Sequence, residues 1–218
     1  MAERRARRVV SGLLAAGLLG LTAACGGGGE SGAPVTGITS SDDDGYRGIY
    51  FAPDEAYQVP DVTLTDTEGR PFDLATQQKR TLVFFGYTNC PDICQTVMST
   101  IASAVAKLPQ ADQDKLQVAF VTTDPARDTA SVMRRYLDRF DPDFEGVTGS
   151  LADIDRLGTP MDIYVEKGRK LPSGGYEVDH STVVVSVSDA RGDLVWTGAT
   201  SPSDMAADLE QVLRDDAA

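Results

Sequence analysis

The chain has 218 residues and a net charge of −13, with 33 Asp and Glu against 20 Lys and Arg. Acidity on this scale argues against nucleic acid or an anionic lipid surface as a partner and is compatible with simple solubility. One histidine and three cysteines are present, so any thiol or soft-metal chemistry must be assembled from a short inventory.

The first 45 residues read as export and tethering signals. Arg4, Arg5, Arg7 and Arg8 precede an uncharged run from Val9 to Ala24. That run is shorter than the ~18 to 20 residues that span a bilayer as a helix, and it ends in the small residues Thr22, Ala23 and Ala24 before Cys25. The pattern resembles a bacterial lipobox, with Thr22 where leucine is usual and Leu21 one position early. The resemblance implies a lipoprotein signal peptide over 1–24 and a lipid on the sulfur of Cys25. It also implies export to the outer face of the cytoplasmic membrane. The alternatives are a secretory peptide cut nearby, or an uncleaved anchor that leaves Cys25 an ordinary thiol. Residues 26–45 hold seven glycines, three serines and four acids without a Lys or Arg. Such a segment cannot offset the entropy of ordering, so 25–45 is expected to be a flexible tether with a reach of roughly 25 Å. Residues 46–218 then carry a net −12 and suit one domain with a real core.

Along that domain, Val62 to Thr65 alternates apolar and polar, Glu68-Gly69 turns, and Phe72 to Leu74 returns, which predicts an N-terminal antiparallel hairpin. The unbroken run Thr81 to Tyr87, TLVFFGY, predicts a central strand covered on both faces. Val97, Ile101, Ala104, Val105 and Leu108 recur at helical spacing, so a helix is expected over Ile93 to Leu108. Leu116 to Thr122 reads as a second core strand. Asp128 and Thr129 both offer caps to a helix through Phe140 that carries Val132, Met133, Tyr136 and Leu137 on its apolar face. A weak helix over Leu151 to Leu157 and a short strand over Ile163 to Val165 follow, and the glycines and proline of Lys167 to Gly175 predict a loop. Thr182 to Val187 and Leu194 to Trp196 flank the turn Asp189 to Gly192 as a hairpin. Ser201 and Pro202 cap a last helix whose inward face is Met205, Leu209, Val212 and Leu213. Strand, helix, strand, helix, hairpin and closing helix is an α/β order with a mixed central sheet flanked by helices. It is the order of a thioredoxin-like fold.

The chemistry concentrates in LVFFGYTNCPDIC, with Cys90 and Cys94, and in EVDHSTVVV, with His180. Cys90 falls at the carboxyl end of the first core strand, where sites of open α/β sheets collect, and Cys94 in the first turn of its helix. Backbone N–H groups at a helix start stabilise a thiolate. An isolated Cys-x-x-x-Cys in an exported chain is also compatible with a structural disulfide. His180 stands beside Asp179, before a core strand, in an expected loop that this strand order lays against the start of the first helix. Two thiolates and one imidazole favour Cu(I), which three ligands satisfy. Zinc competes, but it normally wants a fourth ligand, here Asp179 or water.

The segments VFFGYTNCPDIC, VTTDPARDT and VDHSTVVV, in that order, resemble the Sco family of copper-binding assembly factors for cytochrome c oxidase, over roughly residues 55 to 215. The resemblance implies a thioredoxin-like fold with an extra N-terminal β-hairpin and one copper, Cu(I) or Cu(II), held by Cys90, Cys94 and His180. It implies a role in maturing the dinuclear copper site of oxidase subunit II, or of another exported copper protein, by a monomer held through its lipid anchor. Asp124 and Asp179 match acids of the family pattern and are candidates to support the ligands. The alternative readings are a strand end for Asp124 and a water-facing surface acid for Asp179. Asn89 and Gln95 depart from the usual His and Pro. A carrier of this kind need not be an enzyme. The competing function is a thiol-disulfide reductase with Cys90 as nucleophile and Cys94 resolving, the two joined as a disulfide when oxidised. Against it stand the three residues between the cysteines and the sequence DHST where such enzymes carry a cis-proline.

Overall fold

The computed structural model describes residues 45–91, 93–170, 176–180 and 182–217, with 166–170 and 176–180 described through their backbone. The signal peptide, Cys25 and the tether to residue 44 lie outside the described residues.

In chain order the strands are β1 (Ile49–Tyr50), β2 (Tyr57–Gln58), β3 (Thr63–Asp66), β4 (Pro71–Asp73) and β5 (Arg80–Gly86). Then come α1 (Ile93–Val105), α2 (Gln110–Gln113), β6 (Leu116–Thr122), α3 (Ala130–Leu137), β7 (Glu145–Thr148) and α4 (Leu151–Gly158). The chain closes with β8 (Val165–Lys170), β9 (Tyr176–His180), β10 (Val184–Ser188), β11 (Arg191–Trp196) and α5 (Pro202–Asp215). No described helix is long and apolar enough to cross a membrane.

β5 is the centre because all seven of its residues are buried. Its side chains alternate between two cores. Leu82 and Phe84 enter a cluster with α1, α3 and α5. Val83 and Phe85 enter a second cluster with Ile154, Leu157 and Met161 and with Leu64 and Phe72 of the N-terminal hairpin. Each such side chain contributes about 1.5 to 3 kcal/mol on leaving water, so this strand anchors both layers.

The sheet runs β1-β11-β10-β5-β6-β7-β3-β4, with β2 also on β11. β5 and β6 pair in parallel from Arg80↔Leu116 to Gly86↔Thr122, and β10 pairs antiparallel to β5 with Val184↔Phe84. This is the mixed, helix-flanked α/β sheet expected, and the N-terminal hairpin β3-β4 extends its edge through β7. Three short strands, β1, β2 and β7, were not legible as periodic runs, being only two to four residues long.

Two local expectations are corrected. The helix cap of α3 is Thr129, whose Oγ1 accepts from the Val132 amide; Asp128 turns elsewhere. The segment expected to be a loop from Lys167 is strand as far as Lys170, and His180 closes a strand instead of lying in a loop, because β8 and β9 form their own antiparallel ribbon with Val165 opposite His180. Residues 171–175 lie outside the described residues. The caps of the last helix match the sequence: Ser201 Oγ accepts from the Asp204 amide and Pro202 takes the first turn.

Candidate metal centre

β5 ends at Gly86, and the chain turns through Tyr87 to Pro91 before α1 begins. The Cys90 amide donates to the Tyr87 carbonyl at 3.2 Å, and the Cys94 amide donates to Cys90 Sγ at 3.4 Å. One helix-start N–H is thus aimed at a sulfur, the arrangement that suits a charged or metal-bound thiolate. Both cysteines are thiols and not a disulfide. Cys94 is fully buried and Cys90 is 6% exposed, so the pair opens outward through Cys90.

Close packing fixes the inner sulfur. A Cβ at Gly86 would lie 3.2 Å from Cys94 Sγ, 2.9 Å from Phe84 Cε1 and 3.0 Å from Phe120 Cε2. Glycine at the end of β5 therefore makes the room in which Cys94 sits.

The cysteine loop is held from forty residues downstream. Asp128, 1% exposed, accepts from the Thr88 amide at 2.9 Å, from Thr88 Oγ1 at 2.6 Å and from Thr122 Oγ1 at 2.8 Å. One buried carboxylate thereby joins the turn before Cys90 to the end of β6. The sequence offered no signal for this, since an Asp-Thr step before a helix looks like a cap. Asp124 lies in the same β6 loop, buried, with its carboxylate paired to Arg127 Nε and its amide donating to Thr122 Oγ1 at 3.0 Å. Thr123 donates its amide to the Gly86 carbonyl at 2.7 Å, so the Asp124 loop and the cysteine loop leave adjoining strand ends.

The segment that follows His180 runs to this end of the sheet. β10 starts at Val184 opposite Phe84, near the carboxyl end of β5, and His180 precedes it by four residues. A carbon at the Cβ position of Gly198 would lie 3.6 Å from Ile93 Cδ1 and 3.8 Å from the Thr182 carbonyl oxygen. Thr182, two residues after His180, and Ile93, the residue before Cys94, thus flank one point. The side chains of Asp179 and His180 lie outside the described residues. Among those described, no three Cys, Asp, Glu or His side chains gather as a metal cluster.

A paired thiol at the first helix of this sheet, beside a parallel strand, defines a thioredoxin-like dithiol protein. Residues 52–214 match the family model described as SCO1/SenC, and the chain belongs to that family. It is 39% identical over 111 residues to the mitochondrial SCO2 homolog of Danio rerio, an alignment covering 49% of this chain and 39% of that protein. This chain spans 39% to 60% of the length of the first curated relatives it matches. Among solved structures, apo Sco1 of Thermus thermophilus superposes with a TM-score of 0.69 at 31% identity, covering 77% of this chain and 96% of that one. Bradyrhizobium japonicum ScoI with copper bound gives 0.62 at 32%, covering 71% and 98%.

Proposed function

We propose that residues 46–218 form a copper carrier, anchored through lipidated Cys25 and the tether on the outer face of the cytoplasmic membrane. It holds one copper ion through Cys90, Cys94 and His180. It passes the ion by ligand exchange to an exported copper protein, foremost the dinuclear copper site of cytochrome c oxidase subunit II. The observation that carries this reading is the meeting of Thr182 and Ile93 about Gly198, which lays the segment after the only histidine beside the paired thiols. The donor set fits the cargo. Two buried sulfurs within one helical turn select a soft ion, an imidazole completes a three-ligand Cu(I) site, and zinc would need a fourth ligand that Asp179 or water would have to supply. Family membership over 52–214 and the copper held by the Bradyrhizobium relative support the same choice. Asp124 and Asp179 act around the ligands, Asp124 by bracing its loop through Arg127.

The test is a titration of the reduced domain with Cu(I) against a competing chelator, with X-ray absorption on the product. One copper per chain with sulfur and nitrogen neighbours is expected. Cys94→Ala should abolish tight binding, and His180→Ala should lose the nitrogen and weaken binding at least ~10-fold. An unchanged His180→Ala spectrum removes the site as drawn, and rapid reduction of a client disulfide by the copper-free domain would move the reductase to the front.

A further inference from the structure

β8 and β9 stand apart from the central sheet as a two-stranded ribbon, paired to each other and to no other described strand. Val165 opens β8 opposite His180 at the end of β9, and it packs against the buried cluster that holds Cys90 and Cys94. The base of the ribbon therefore adjoins the layer that carries the dithiol. Tyr164, the residue before it, is 63% exposed, the most exposed of the large hydrophobic side chains described.

Beyond that base, β8 carries Lys167, Arg169 and Lys170, and no other four consecutive residues of 46–218 hold three cations. The ladder sets Lys167 opposite Val178 and Lys170 opposite Tyr176, so no acid stands directly across from either. Without these three cations the domain's −12 becomes −15. Behind the cysteines α1 holds no charged residue, and neither does 197–203 beside it. A partner with an acidic surface is repelled by such a body and attracted by β8, so long-range forces turn it toward the ribbon whose base adjoins the thiols.

We propose that the stretch from Tyr164 through β8 to Lys170 is a docking strand for a protein with an acidic surface, the copper acceptor: the three cations steer it, and Tyr164 anchors it at the base of the ribbon. Tyrosine and arginine are the residue types that anchor protein interfaces, and lysine at the rim speeds the encounter. Lys170 lies at most roughly 17 Å along the strand from Val165, within the footprint of an ordinary interface. An anionic bilayer offers the same charge as an extended plane and meets the negative body together with the ribbon, which favours a partner small enough to touch the ribbon alone. The choice of partner rests on the proposed function; the charge and the placement of the strand do not.

The experiment uses the full chain in phosphatidylcholine nanodiscs, as wild type, with Lys167→Glu, Arg169→Glu and Lys170→Glu combined, and as Tyr164→Ser. The probe is the copper-free acceptor domain of oxidase subunit II from the same organism, and its association and dissociation rates are measured at low and at physiological salt. Wild type should associate faster at low salt. The charge reversal should slow association at low salt ~10-fold and remove most of the salt dependence. Tyr164→Ser should keep the association rate and speed dissociation several-fold. All three should melt at the same temperature and bind Cu(I) with the same affinity. If wild type does not bind the acceptor domain, or the charge reversal associates as wild type does, the proposal is overturned. If phosphatidylglycerol in the nanodisc protects the β8 amides of wild type from hydrogen exchange, while acceptor association is the same in wild type and reversal, β8 is a lipid contact and the proposal is again overturned. Failure of wild type to bind Cu(I), with acceptor association still dependent on β8, would remove the carrier reading and leave the docking strand standing.

Discussion

The two ends of β5 bury polar groups in opposite ways. At the amino end Arg80, with its side chain 2% exposed, donates to Asp193 at 2.6 and 2.9 Å, to Asp216 at 2.8 and 2.9 Å and to Ser186 Oγ at 2.8 Å. Charge is met by opposite charge, and the cluster ties β5, β10, β11 and the end of α5 together. At the carboxyl end Asp128 is met by an amide and two hydroxyls, and beside it lie two thiols and a phenol whose hydroxyl has no partner among the described residues. One end of the strand is closed for stability, while the other leaves groups ready for something that arrives.

Arg80→Ala should give the largest effect and the cleanest break between the ends. It removes the cation that two carboxylates face, and breaking a buried pair from one side costs about 3 to 5 kcal/mol. Asp216 is 40% exposed and relaxes into water, which places the loss near the lower figure, about 3 kcal/mol by urea unfolding of the apo domain. Cu(I) affinity should be unchanged, because none of the groups lost faces the thiols. A variant that unfolds no more readily, or one that loses copper in proportion, would show that the ends are not separable.

Asp128→Asn probes the other end with a smaller effect on stability and a larger one on binding. The amide keeps the shape but turns one acceptor into a donor facing Thr88 or Thr122, which costs about 1 to 2 kcal/mol. The Thr88 turn then sets Cys90 less firmly, and Cu(I) affinity should drop about 10-fold. Equal losses of stability without any change in affinity would make Asp128 a fold residue like Arg80.

What was legible in the chain follows the same division. Thr81 to Tyr87 and Leu116 to Thr122 announced themselves because strands covered on both faces are unbroken apolar runs, and the observed β6 has the expected bounds. The start of α1 and the two cysteines were equally plain. The devices that tune the site were not. Asp128 binds a loop forty residues away, so it leaves no local pattern. β8 was hidden because its strand runs through Gly168 toward Pro172 and Gly174, residues that signal a loop when read alone. β7, only EGVT, is held by pairing to β6 and β3 and not by its own propensity.

The smallest effect sharpens the amino-end side of the comparison through pH. Tyr57 in β2 pairs with the first residues of β11, next to the Arg80 cluster, and its hydroxyl donates to Asp162 Oδ2 at 3.2 Å. Burial first, and then the Asp162 carboxylate, pushes this phenol up to about 12, against ~10 in an unfolded chain. A folded-state value raised above the unfolded one gives stability that is fully present below pH ~10 and is lost as pH rises toward 12, because the unfolded chain ionises first. Solvent near the group limits the effect to at most about 1 kcal/mol. Urea midpoints of the apo domain between pH 9 and 12 should therefore fall less steeply for Tyr57→Phe than for wild type. Tyr136→Phe provides the matching contrast at the other end of the strand: burial raises its phenol as well, so it too should flatten the alkaline limb. Because Tyr136 is 4% exposed and Tyr57 only half-buried, the flattening should be greater for Tyr136→Phe, and an equal slope for both variants would show that burial does not set the difference between the two ends.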